Sequence, residues 1–183
     1  MQALGKSLAN VVGYLSTLLQ KIFPKLRQEA ELRKQITEEE IALSYAARDA
    51  VEKNADAELK IAQLRNAAAD KTNKSARERI ALLNEAKDLE LEISQRNVDI
   101  ATKEYEIAVL RAKTAENSKE ANDALAQAYA KKVKAETDYY NNTVRLQAQI
   151  SAAQKEERQN AEKAEKEEIR ARMRMIQVNK EYW

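Results

Sequence analysis

The chain has 183 residues, 44% of them hydrophobic but only 5% aromatic, and much of the apolar share is alanine. That is too little bulk for an ordinary compact core and suits a coiled coil or a helical bundle. Thirty-two basic against thirty acidic residues leave a net charge of +2, evenly interleaved, which excludes the one-sided basic stripe of a nucleic-acid binder, so no specific nucleic acid is expected. With no cysteine or histidine there is no disulfide, no thiolate ligand and no imidazole proton shuttle.

Met1 to Phe23 forms the first predicted element, residues 1–23. Leu4, Leu8, Val11, Leu15, Leu18 and Ile22 recur at four-three spacing, and Val12, Leu19 and Phe23 widen the stripe into a strongly amphipathic helix. This leucine-rich face is the expected self-association surface of a homo-oligomer. Lys6 and Lys21 flank the stretch and Ser7, Asn10, Ser16, Thr17 and Gln20 interrupt it, so it suits neither a signal peptide nor a membrane span, and the chain reads as soluble. Pro24 lacks a backbone donor and disfavours helix at Phe23, which predicts a break or a kink there and an immediate restart.

Residues 24–150 form an alanine-rich coiled-coil region. Leu43, Ala47, Ala50, Asn54, Ala57, Ile61, Leu64 and Ala68 step by four and three without a slip, which is a coiled-coil seam. Asn54 within it suits either a register-setting polar residue or a wet spot in a loose helix. Thr37 before Glu38, Glu39 and Glu40 predicts a local helix restart, and a glutamate-rich helix start explains the three carboxylates better than a metal cluster does. At residues 70–75 the polar run Asp70-Lys71-Thr72-Asn73-Lys74-Ser75 ends the helix, and Ser75 with Glu78 makes a capping box for the next. So short a link favours an antiparallel hairpin, with Ile61 and Leu64 against Ile80, Leu82 and Leu83. One unbroken helix after Pro24 would instead extend roughly 240 Å at about 1.5 Å per residue.

From Ala76 to about Thr114 two seams share one helix. Ala86, Ile93, Ile100 and Ile107 recur every seven residues with Leu82, Leu89 and Leu110, while Leu91, Val98 and Tyr105 with Ala101, Ala108 and Ala112 lie roughly opposite. Two seams need two neighbours, so this is an inner helix of a bundle of three or more. A second polar dip at residues 116–119, Glu116-Asn117-Ser118-Lys119, precedes a helix from Glu120 to about Ile150. Ile61-Ala62-Gln63-Leu64-Arg65 is echoed 46 residues later by Ile107-Ala108-Val109-Leu110-Arg111, which suits either a duplicated unit or chance in alanine-rich helix. Tyr139-Tyr140-Asn141-Asn142 suits a partner patch, or one tyrosine in the seam and the other along the surface. Residues 151–183 are a highly charged helix whose apolar end, Met173, Ile176, Val178, Tyr182 and Trp183, looks cut or docked.

The expected fold is therefore all-α: long amphipathic helices in a coiled coil or elongated bundle, with antiparallel hairpins as the alternative to a rod. No glycine-rich phosphate loop or Glu-x-x-His pair is present, so neither enzyme activity nor a cofactor is expected.

Thr37-Glu38-Glu39-Glu40-Ile41, Ala46-Ala47-Arg48-Asp49-Ala50 and the stretch from Ala68 through Asp70-Lys71-Thr72-Asn73-Lys74-Ser75 to Arg77-Glu78-Arg79-Ile80 resemble tail tape measure proteins of tailed bacteriophages and prophages. The resemblance covers roughly Leu15 to Ile150. It implies an elongated, often multimeric helical protein that sits inside the tail tube against tail tube proteins, sets tail length and leaves at DNA ejection. It also implies a virion location after assembly in the bacterial cytoplasm, and that this chain is one section of a longer protein. A helical scaffold or adaptor, or a membrane-active protein inserting residues 1–23, are the alternatives in other classes.

Overall fold

A computed structural model describes residues 2–115 and 118–181, with side chains placed for Thr17, 22–115 and 118–177. Three long helices pack against each other, about 95% of the chain is helical, and no strand occurs among the described residues. They are α1 (Gln2–Ala69), α2 (Ala76–Thr114) and α3 (Lys119–Glu181). The chain divides into two compact units, each drawing on all three helices: Met1–Asp49 with Asp99–Lys134, and Ala50–Val98 with Ala135–Trp183.

The expected end of α1 near Ala69 and start of α2 at Ala76 are where the polar run places them. Asp70 accepts hydrogen bonds from the backbone N–H of Thr72 at 3.1 Å and of Asn73 at 3.0 Å, and from the Asn73 amide at 3.0 Å, which closes the turn. The capping box forms as the spacing predicts. The Ser75 N–H and hydroxyl donate to Glu78 at 2.8 and 2.7 Å, and the Glu78 N–H donates back to Ser75 Oγ at 3.3 Å. Arg79 Nε then reaches across to the carbonyl of Ala68 at 2.8 Å, so the first turn of α2 satisfies an orphan acceptor at the end of α1.

The break that Pro24 allows and the restart expected at Thr37 do not occur. α1 continues through Pro24. The proline removes one helical hydrogen bond at a cost of about 3 kcal/mol, but a break would strand up to four N–H and four C=O groups, and Gln20-Lys21-Ile22-Phe23 supplies no good cap for them. Nor does a helix restart at Thr37: its hydroxyl bonds back to the carbonyl of Arg33 at 3.0 Å and α1 runs on. Glu38, Glu39 and Glu40 therefore lie mid-helix and not at a helix start. Glu38 pairs with Lys34 on its own helix, whereas Glu39 and Glu40 reach Lys103 and Arg111 of α2. Likewise α3 passes without interruption through Ile150 and Ser151, so the highly charged tail is part of one long helix.

In the second unit the contacts run antiparallel. Asn54 meets Arg96, Lys60 meets Glu85 and Arg65 meets Glu90 between α1 and α2, and Glu90 meets Arg145 while Ser94 meets Asn142 between α2 and α3. α2 is thus the inner helix that its two seams call for. Ile61, Leu64 and Ala86 form the buried cluster, with Leu82, Leu89 and Ile93 packed on it. The expected partner Leu82 is there, whereas Ile80 and Leu83 are half-buried outside this cluster. The first unit buries Ile36, Ala101, Ile107, Ala108, Ala112 and Ala128. Eight of the fourteen buried apolar residues described are alanine, so the helices approach closely and polar side chains from neighbouring helices come within reach of one another.

Candidate functional site

The seam residues Leu43, Ala47, Ala50, Asn54, Ile61, Leu64, Ile93, Ile100 and Ile107 are all buried or half-buried. Among the proposed self-association residues, Leu4, Leu8, Val11, Leu15 and Leu18 lie outside the described side chains, and Ile22 is exposed on α1. Glu116, Asn117, Tyr182 and Trp183 are also outside the described residues.

The most specific arrangement in the molecule is a polar layer in the second unit. Asn54 Oδ1 on α1 accepts a hydrogen bond from Arg96 Nε on α2 at 2.9 Å. Between α2 and α3, the Asn142 amide donates to the buried Ser94 hydroxyl at 3.1 Å. Glu90, whose side chain is only 15% exposed, takes Arg65 of α1 on one carboxylate oxygen and Arg145 of α3 on the other, the latter at 2.9 Å. One α2 carboxylate therefore ties all three helices. Ala57 and Ala86 are buried in the same unit.

Seam periodicity pointed to Asn54 but not to its partner. No local pattern marks Arg96, Glu90 or Ser94, and Asn142 stands out only within the Tyr139-Tyr140-Asn141-Asn142 run, because the signal for them is a pairing across three helices. The Tyr139-Tyr140 pair divides as its blander reading predicts, Tyr139 half-buried and Tyr140 exposed. The two copies of the Ile-Ala-x-Leu-Arg echo serve different partners: Arg65 binds Glu90 on the following helix, whereas Arg111 binds Glu40 on the preceding one at 2.6 Å.

The first unit carries an aromatic contact, with the rings of Tyr105 and Tyr129 5.8 Å apart and Lys132 over the Tyr105 ring at 5.5 Å. Beside it an open groove of about 660 Å³ has Leu43, Ile107, Ala108, Ala121, Ala124 and Ala128 along its floor. Four of its rim charges pair with each other, Arg111 with Glu40 and Lys131 with Glu104. In the second unit a smaller groove of about 380 Å³ lies over Ile61, Ile93 and Ser94, edged by Arg65, Glu90 and Asn142. Both are open and apolar-floored. The hydroxyl of Ser94 meets an amide, and an amide donor does not activate a nucleophile. Among the described residues no cluster of carboxylates could hold a metal ion and no helix is long and apolar enough to cross a membrane.

Three carboxyls are held below the usual carboxylate range, all at the α1–α2 turn. Asp70 is held down chiefly by the Asn73 side chain, Glu78 by the Ser75 hydroxyl, and Glu156 of α3 by Lys71, which donates to it at 2.9 Å. The charge chemistry here fastens a turn.

Comparison with protein-family models, with curated proteins and with solved structures finds no match for this chain.

Proposed function

We propose that the chain is a non-enzymatic helical scaffold that works through contacts between its helices and other protein surfaces, as a section of a phage tail tape measure protein. The observation that carries the scaffold reading is the three-helix polar layer around Glu90, because it spends the molecule's most specific polar contacts on holding helices in register. The resemblance at Ala68 to Ile80 supports the tail setting, and with it a location inside the tail tube, contact with tail tube proteins and assembly in the bacterial cytoplasm. Self-association through Leu4, Leu8, Val11, Leu15, Leu18 and Ile22 belongs to the same reading.

The turn at Asp70 to Ser75 favours a second reading, an adaptor, because a measuring rod gains length only by staying extended. A helix of 68 residues reaches about 100 Å at about 1.5 Å per residue, less than half of what the unbroken chain would span. The two readings separate in one experiment. Removing the section in frame from a phage's tape measure gene shortens the tails seen by electron microscopy if the section measures length. Tails of unchanged length refute the measuring role and leave the adaptor. For self-association, Leu15→Glu with Leu18→Glu lowers the sedimentation mass, and an unchanged mass refutes that surface.

A further inference from the structure

The link between α1 and α2 contains neither glycine nor proline, and neither residue occurs anywhere after Pro24. Its backbone is therefore free to be helical, and side chains keep it folded. Asp70 accepts from Thr72 and Asn73, and Glu78 accepts from Ser75, all in exposed contacts that water can replace.

The helices on either side share one heptad row that runs through this link. Asn54, Ile61 and Ala68 stand 21, 14 and 7 residues before Ser75, and Leu82, Leu89 and Arg96 stand 7, 14 and 21 residues after it. Ser75 alone in that row is exposed; the other six are buried or half-buried. Contacts across the hairpin are centred on the same residue. Asn54 bonds Arg96, and Leu64, 11 residues before Ser75, clusters with Ala86, 11 residues after it. A folded link imposes no such phase, since it can enter the second helix at any angle. A straight helix does impose it: the shared row then follows one side of a left-handed coil.

We infer that residues 70–75 are a hinge through which two copies exchange α1, giving a dimer whose two-fold axis passes Ser75 and in which Asn54 of each copy bonds Arg96 of the other. The occupant is a second copy because straightening uncovers the very faces that the chain covers for itself, and another copy brings the same contacts in the same register. At the crossing Lys71 of one copy comes opposite Arg79 of the other. Glu156 of α3, which pairs with Lys71 and also feels Arg79, supplies the opposing charge there. Exchange of an identical element closes as a dimer. It is separate from association through the start of α1 and needs no tail setting.

The chain has no cysteine, so single labels report cleanly. Two preparations of the full chain, one with a nitroxide on a cysteine replacing Asp56 and the other on one replacing Asp88, are mixed, concentrated, warmed to partial unfolding and cooled. Both carry Leu15→Glu with Leu18→Glu, so association through the start of α1 cannot supply the signal. Exchange sets the two labels within about 25 Å of each other in different copies, as the hairpin does within one. The absence of that distance between copies overturns the hinge. Asp70→Ala with Ser75→Ala removes bonds that only the folded link makes, and should raise the association constant by sedimentation about tenfold. No rise overturns the hinge. Lys71→Pro suits the second position of the folded turn and is rejected by a straight helix, so it should abolish the signal between copies while helicity by circular dichroism is kept. A signal that persists in Lys71→Pro belongs to another surface and overturns the exchange.

Discussion

Glu90 is the residue on which the scaffold reading is most exposed to refutation. Its side chain is 15% exposed, while Arg65 and Arg145 are 44% and 48% exposed, so each ion pair joins a shielded carboxylate to a half-solvated guanidinium. Water screens such a pair to about 0.5–1 kcal/mol, towards the upper end of the range for surface ion pairs. Truncating an arginine to Ala should cost about that much, since its partner keeps the other arginine. Truncating Glu90 removes both pairs and leaves two cations facing each other beside the alanine seam, and should cost about 1.5–2.5 kcal/mol. With a urea slope of about 2 kcal/mol/M, Glu90→Ala lowers the midpoint by about 1 M in melts followed by circular dichroism at one fixed protein concentration. Double-mutant cycles of Glu90 with Arg65 and with Arg145 should each give a coupling of about 0.5–1 kcal/mol. Lys60 with Glu85 supplies the internal control, being a contact between the same two helices whose side chains are 54% and 47% exposed. Glu85→Ala should cost less than about 0.5 kcal/mol. If Glu90→Ala costs no more than Glu85→Ala, or if neither arginine couples to it, the three-helix tie is a screened surface contact and the polar layer does not set the register.

Two further outcomes are expected. Asp70, Glu78 and Glu156 titrate below the ordinary range, so what they contribute is fully present above the unfolded values, near pH 4, and is lost as pH falls through their lower folded values. In amide exchange Asn73 and Ser75 should then lose protection in acid before Ala86 does, and equal loss at all three would contradict the sign. Spin labels replacing Asp56 and Asp88 should lie within about 25 Å across the hairpin, against about 48 Å along one continuous helix at about 1.5 Å per residue. The longer distance would refute the fold-back.

Local chemistry made much of this molecule legible. The end of α1 and the start of α2 follow from Asp70 to Ser75 and the Ser75–Glu78 box, because a cap is satisfied by residues within one turn of it. The inner position of α2 follows from its two seams, since each apolar face has to be covered. The helix neither breaks at Pro24 nor restarts at Thr37, because local propensity is worth a few kcal/mol at most, whereas interrupting a helix strands a whole turn of backbone groups at each new end. What the sequence by itself determined was therefore helix, seam and cap. Only the tertiary structure decided which polar side chains meet: Asn54 with Arg96, Ser94 with Asn142, and Glu90 with two arginines whose positions in the chain are 80 residues apart. Those partners are selected by the register of three helices at close approach, a relation between distant segments for which no periodicity along one helix carries a signal.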